Sequence, residues 1–235
     1  EHLETAVTLT NLAQLYTEQR RYRYAVPFYQ RALAIKEKAL GTDHRSMVMT
    51  IIPLANLYRR LGLYNIAEPL FQRALKINEN ALGEHPLDTT LILSNLALMY
   101  SQQGLYSKAE PLYLRALAIR VKVLGVEHPK SSISLNNLAG LYNNQGLYNK
   151  AQPLAKRALA IDFTFLQRQA PYLALSERQS FVKNVGNAFE SVFSSAARGD
   201  SGAELAMFSR LNRQGLLEEI EKRQAQLAAL PGPQQ

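Results

Sequence analysis

The sequence predicts an all-α fold, a stacked solenoid of helix-turn-helix units followed by a C-terminal helical pair, and three observations carry that expectation. The first is a 42-residue period that superimposes Leu12, Leu54, Leu96 and Leu138, then Tyr16, Tyr58, Tyr100 and Tyr142, then Pro27, Pro69, Pro111 and Pro153. The second is that apolar residues recur twice within each period at three- and four-residue spacing, the signature of two amphipathic helices. The third is a break between those runs, such as Gln103-Gly104-Leu105, which reads as a tight turn. A period of this length belongs to arrays in which each unit buries its apolar face only against its neighbours.

First helices are expected near 4–19, 46–61, 88–103 and 131–145, and second helices near 23–40, 65–82, 107–124 and 149–166. Ala13, Ala55, Ala97 and Ala139 on the first, with Ala25, Ala67, Ala109 and Ala151 on the second, are small enough for the helices to approach closely. The aromatic rings Tyr16, Tyr58, Tyr100 and Tyr142, with Tyr29, Phe71 and Tyr113, fill the remaining space, and Ala155 in the fourth unit should leave looser packing. Ser107-Lys-Ala-Glu110 reads as a capping box, with versions at Asn65–Glu68 and Asn149–Gln152 but none at Arg23–Val26. Tyr106 could staple onto Pro111, and the prolines are expected in the first turn, where a lost N–H costs least. Gly41, Gly83 and Gly125 are expected to end the second helices.

Glu1 to about Leu166 thus forms four units, and residues 167–235 form a second region. There a hinge containing Pro171 precedes a helix capped at Ser176 and running to about Ala197, a second helix from about Ala203 to Leu230, and a disordered tail, Pro231–Gln235. The apolar positions Phe181, Val185, Phe189, Val192 and Phe193 would cap the open end of the array.

The offsets of Ala97, Tyr100, Ala109, Tyr113 and Ala116, repeated at Ala55, Tyr58, Ala67, Phe71 and Ala74, resemble the tetratricopeptide repeat (TPR) pattern, which implies a right-handed α-solenoid. The pattern departs from the common 34-residue form by a longer second helix and an added loop at Gly41–His44, Gly83–Pro86 and Gly125–Pro129, and Leu135-Asn-Asn-Leu-Ala139, Gln145-Gly146-Leu-Tyr148, Ala109-Glu-Pro-Leu-Tyr113 and Arg115-Ala-Leu-Ala-Ile119 are similar to the repeats of kinesin light chains. That resemblance spans Glu1 to about Leu166 and implies a binding scaffold. Bacterial proteins share these repeats, and Leu173–Gln179 with Arg213–Gly215 loosely resembles the segment that precedes a caspase-like CHAT protease domain.

The net charge of +8 is uneven, with 19 Lys/Arg against 12 Asp/Glu in Glu1–Leu166 and 8 against 7 thereafter. Such an excess favours an acidic protein or peptide partner. No basic block or recognisable motif supports nucleic acid, and no apolar run approaches the roughly 20 residues of a membrane span. With no cysteine, disulfides and cysteine-bearing zinc sites are excluded and a cytoplasmic location is expected. The chain begins Glu1-His2-Leu3, and His2 aligns with His44, so it is expected to start at a repeat boundary of a longer protein. Oligomeric state is not legible.

His2, His44, His85 and His128 all lie between units, too far apart to share a metal when packed helices stand roughly 8–10 Å from one another. No metal or other cofactor is expected. No Gly-x-Ser-x-Gly elbow, phosphate loop or His-Glu-x-x-His helix is present, and Gly215 reads as a helix irregularity, so a non-enzymatic chain is expected. Arg31, Arg73, Arg115 and Arg157 form a row on the second helices that reads as a solvated ridge on the convex side.

The first helices would line the concave side. Their groove residues read as Asn11, Gln14, Asn56, Arg59, Arg60, Asn95, Gln102, Asn136, Asn137, Asn143 and Asn144, with Pro53 interrupting the asparagine row. Amides offer both donor and acceptor, the requirement for reading a peptide backbone. The first reading is a scaffold that binds a peptide or partner helix in this groove. The alternative is the regulatory repeat half of a CHAT-type protease whose catalytic domain lies outside these residues.

Overall fold

The computed structural model describes residues 2–80 and 86–169, and among them every regular element is helical. The order is α1 (Leu3–Glu18), α2 (Tyr22–Leu40), a 3₁₀ turn (Arg45–Met47), α3 (Val48–Arg60), α4 (Tyr64–Asn80), α5 (Pro86–Gln102), α6 (Tyr106–Leu124), α7 (Pro129–Asn144) and α8 (Tyr148–Gln169). The pairs fall on the 42-residue period, and α8 runs on past the expected end at 166. The C-terminal helical pair, Gly83 and His85 lie outside the described residues.

Each first helix closes in the same way. After Arg60, Gln102 and Asn144 the chain passes through a glycine at positive φ, Gly62 (75°), Gly104 (74°) and Gly146 (73°). The glycine N–H donates to the carbonyl of Arg59, Ser101 or Asn143, and the next leucine N–H donates to Tyr58, Tyr100 or Tyr142 at 2.8–2.9 Å. These bonds satisfy carbonyls that a helix end would otherwise leave bare. In the first unit Arg20 adopts φ 58° instead, Arg21 N–H reaches the Tyr16 carbonyl at 2.9 Å, and the Arg21 guanidinium sits 5.0 Å from the Tyr16 ring centroid.

The leucine that closes one helix also starts the next. Leu63, Leu105 and Leu147 accept the first backbone bonds of α4, α6 and α8. Those helices therefore begin at Tyr64, Tyr106 and Tyr148, and Asn65, Ser107 and Asn149 are their second residues, not N-caps. The caps therefore stand two residues before the expected capping boxes. The prolines move with them: Pro69, Pro111 and Pro153 lie inside their helices and each lacks an N–H for a carbonyl one turn earlier. Asn65, Ser107 and Asn149 are exposed, so water can serve those carbonyls.

The chain divides into two compact units, Glu1–Ile119 and Arg120–Gln235. In the first, α1 packs on α2, α2 on α3, α3 on α4 and α4 on α5. Ala13, Ala25, Ala55, Ala67, Ala97 and Ala109 are fully buried, which lets the helix backbones close on one another, while Tyr29, Phe71 and Tyr113 fill the core between them. Tyr16 is only half-buried and stacks on Phe28, 5.5 Å between centroids. In the second unit α7 packs on α8 through Leu135, Leu138, Leu141, Ala151, Ala158 and Ile161.

A polar side chain recurs at one core position of every second helix. In the first unit Lys36 Nζ donates to Thr50 Oγ1 (2.7 Å) and Asn78 Nδ2 to Thr89 Oγ1 (2.8 Å). In the second, Arg120 Nη1 donates to Ser134 Oγ (2.7 Å) and the Ser132 hydroxyl donates to Asp162. Burial lowers the pKa of Lys36 and Arg120 and raises that of Asp162, whose bond from Ser132 opposes the shift.

Candidate functional site

Within the first unit, α3 and α5 present neighbouring faces on which the period repeats: Met49, Pro53, Asn56 and Arg60 on α3, and Leu91, Asn95, Leu98 and Gln102 on α5. Spacings of four, three and four residues place each set on one side of its helix. Between their C-terminal ends lies an open hollow of about 890 Å³, lined by Arg59, Arg60, Leu61, Gly62, Tyr64, Leu98 and Gln102. This lining includes two guanidinium groups and no carboxylate.

The two arginines differ in role. Arg59 is buried at 8% exposure, its Nε donating to Asn56 Oδ1 at 3.2 Å and its Nη1 to Gln102 Oε1 at 2.8 Å. Burial, with the neighbouring Arg60 charge second, lowers its pKa from the ordinary arginine value. Arg59, read from the sequence as a groove residue, thus joins α3 to α5 while its remaining donors line the hollow. Arg60 is exposed, stacks on the Tyr22 ring at 5.5 Å and donates to the Tyr22 hydroxyl at 3.1 Å. A guanidinium has five N–H donors, so Arg60 keeps the capacity to bind an anion.

Of the sequence-derived groove residues, Asn56, Arg59, Arg60 and Gln102 come together here. Asn95 is half-buried on the same face of α5 as Gln102 and donates to the Leu91 carbonyl at 3.0 Å. Asn11 and Gln14 are exposed on α1, and Gln14 donates to Glu18 at 3.1 Å. In the second unit Asn136, Asn137 and Asn143 are half-buried and Asn144 is exposed.

The row of arginines on the second helices departs from a uniformly solvated ridge. Arg73 pairs with Glu37 (2.5 Å) and donates to the Thr42 carbonyl (2.6 Å), and Arg115 pairs with Glu79 (2.5 Å). Glu37 and Glu79 are one period apart, so these pairs repeat from unit to unit and offset the ridge's charge. His44 and His128 accept backbone N–H bonds through Nδ1, from Ser46 at 3.2 Å and Lys130 at 3.0 Å. Both imidazoles thereby start a helix segment.

Sequence reasoning missed an apolar row. Val7, Met49 and Leu91 of the first unit are 54%, 72% and 51% exposed, and Ile133 in the second is 51% exposed. All four share one position of the period. The signal was present, because a solvent-facing position that is apolar four times over is not a random surface residue. Beside Met49 and Leu91, a hollow of about 450 Å³ is lined also by His44, Arg45, Ser46, Val48, Ile52, Asn78 and Asp88.

Family models described as tetratricopeptide repeat match residues 5–46, 45–113 and 88–162. The chain is a tetratricopeptide repeat protein. No curated protein matches this TPR chain. Among solved structures it is similar to the nearly identical TPR-like repeats of the kinesin light chain type from Podosopora anserina, 25% identical over 98% of this chain and 100% of that one, TM-score 0.60. It is also similar to BtubC (BKLC) from P. vanneervenii, 23% identical over 97% of this chain and 83% of that one, TM-score 0.61. A Rap protein complexed with competence and sporulation factor shares the fold at 17% identity, over 95% of this chain and 66% of that one, TM-score 0.61. The repeats are thus of the kinesin light chain type, in a family of protein-interaction scaffolds. No described helix of the TPR protein is long and apolar enough to cross a membrane.

Proposed function

We propose that this chain is a non-enzymatic scaffold that binds an extended acidic peptide along the faces of α3 and α5. The observation that carries this reading is the hollow between α3 and α5, where Arg59 and Arg60 meet amides and no carboxylate lines the wall. A peptide carboxylate placed there exchanges water for the free N–H donors of Arg60, with Arg59 held in position behind it by Asn56 and Gln102. Asn95, on the same face of α5 as Gln102, supplies donor and acceptor groups for a peptide backbone. The excess of 19 basic over 12 acidic residues in Glu1–Leu166 adds a long-range attraction for the same ligand.

A peptide library selected against the whole chain tests this reading, repeated on Asn95→Ala and on Arg60→Glu. An amide hydrogen bond contributes about 0.5–1.5 kcal/mol, so losing the one from Asn95 is expected to weaken selected peptides roughly 2- to 12-fold. Arg60→Glu is expected to abolish preference for acidic sequences. If selected peptides bind both folded variants as tightly as the parent chain, the groove reading is wrong.

A further inference from the structure

The row of arginines on the second helices changes character at α8. Glu37 and Glu79 each answer an arginine of the next second helix, Arg73 and Arg115, at 2.5 Å. One period later the acid is gone. Val121 stands where Glu37 and Glu79 stand, and Arg157, the next arginine of the row, is exposed with no carboxylate partner among the described residues. Gln152 likewise takes the place of Glu68 and Glu110, and the single acid of α8, Asp162, is buried. The exposed charges described on α8 therefore all have one sign: Lys150, Lys156, Arg157 and Arg168. Lys150, Pro153, Arg157, Ala160, Thr164 and Arg168 follow at intervals of three and four residues, so they share one side of the helix. At 1.5 Å per residue, Arg157 stands about 10 Å from Lys150 and about 16 Å from Arg168 along the axis. The Lys150 ammonium lies over the Tyr142 ring at 5.3 Å, which holds it at the N-terminal end of the stripe. The side chains of Ala160 and Thr164, between the arginines, are short enough for another helix to approach to roughly 8–10 Å.

We infer that this side of α8 docks an acidic helix of a partner protein, which supplies from outside the carboxylate that Glu37 and Glu79 supply from within the chain. The two complete rungs specify the chemistry of the occupant, because in each a glutamate on one helix meets an arginine on another. Charge complementarity points the same way. Across residues 120–169 the only acids are Glu127 and Asp162, against seven Lys/Arg, so the local field attracts an acidic partner. A helix matches the stripe because seven and eleven residues are close to two and three whole turns, which puts carboxylates at those spacings on one face. An anionic bilayer matches it less well, since no exposed position described on α8 holds a large apolar side chain that could enter the lipid. The stripe shares no residue with the hollow between α3 and α5 and does not depend on what that hollow binds.

The test uses the full chain and a fluorescent, alanine-rich helical peptide whose three glutamates are spaced about seven and eleven residues apart, made in both orders and read by anisotropy. The parent chain is expected to bind one of the two orders. It should bind neither the glutamine version nor a peptide whose glutamates stand about five residues apart and so fall on different faces. Arg157→Glu is expected to weaken binding about fivefold or more, with circular dichroism confirming helix content. Val121→Glu keeps every cation and returns the missing acid to its place in the period. It is expected to weaken binding roughly two- to fivefold by occupying the Arg157 guanidinium. Arg60→Glu should change nothing, and an equal loss in that variant would assign the peptide to α3 and α5 and refute the stripe. If Arg157→Glu and Val121→Glu bind as tightly as the parent, or neither order is bound, the inference is wrong. Arg157-dependent binding of phosphatidylserine vesicles or duplex DNA, with no preference for glutamate spacing, would also overturn it.

Discussion

Arg20 is the one described non-glycine residue at positive φ, and it occupies the position that Gly62, Gly104 and Gly146 fill in the other turns. Side chains pay a steric penalty there, so Arg20→Gly is expected to stabilise α1–α2 by about 1 kcal/mol, and Gly104→Ala to destabilise by about as much. Nothing lies within 4 Å of a Cβ built on Gly104, so the cost is conformational and not steric crowding. Urea titration of the two variants checks both signs. Asp162 makes a second residue-scale prediction. Burial raises its folded-state pKa, so protonation favours the folded form; that contribution is complete below the ordinary value of 3.8 and is lost as pH rises through the raised one. Asp162→Asn should therefore be more stable than the parent near neutral pH, with the advantage shrinking as pH falls toward 3.8, read as hydrogen-exchange protection of α8. Residues of this kind were legible in part. Gly104 announced the turn, but the burial of Arg59 was not visible, because it depends on Gln102, 43 positions away.

At the scale of elements, helix number and order were legible because the period repeats the same small and aromatic residues at the same offsets. Helix starts were less so. Ser107-Lys-Ala-Glu110 has the composition of a capping box, yet the bond from Leu105 N–H to Tyr100 fixes the turn first and leaves Leu105 as the cap. The apolar row escaped for a related reason: periodicity identifies apolar positions but does not say which of them a neighbour covers. Elements also differ in how firmly they are held. Among its described residues α1 buries Ala6 and Ala13, whereas α5 buries nine, from Thr89 to Ser101. Stability in a stacked array is local, so α1–α2 is expected to exchange its amide hydrogens before α5–α6. Stronger protection of Leu12–Leu40 than of Leu96–Leu124 would contradict this.

For the molecule as a whole, the excess of basic residues in Glu1–Leu166 sets a salt dependence. Association with an acidic peptide is expected to weaken several-fold when ionic strength rises from about 0.05 to 0.5 M, as the Debye length shrinks from more than 10 Å to less than 5 Å. A neutral peptide of the same length should be nearly indifferent, and isothermal titration of both checks this. The recurrent polar core position has a consequence for how the chain finds its own order. Near-copies of one unit invite mispairing, in which a second helix docks on the first helix of the wrong neighbour. Lys36, Asn78 and Arg120 each reach a hydroxyl on the following first helix, but Thr50 and Ser134 share one position of the period whereas Thr89 stands at another. If α2 slipped forward by one unit and docked on α5, the place of Thr50 would be taken by Ile92, and Lys36 would have to turn to the Thr89 hydroxyl, which stands at another position of the period. A hydrogen bond to a charged group contributes about 1.5–3 kcal/mol, so misplacing the Lys36 acceptor disfavours the slipped pairing and helps hold α2 to α3.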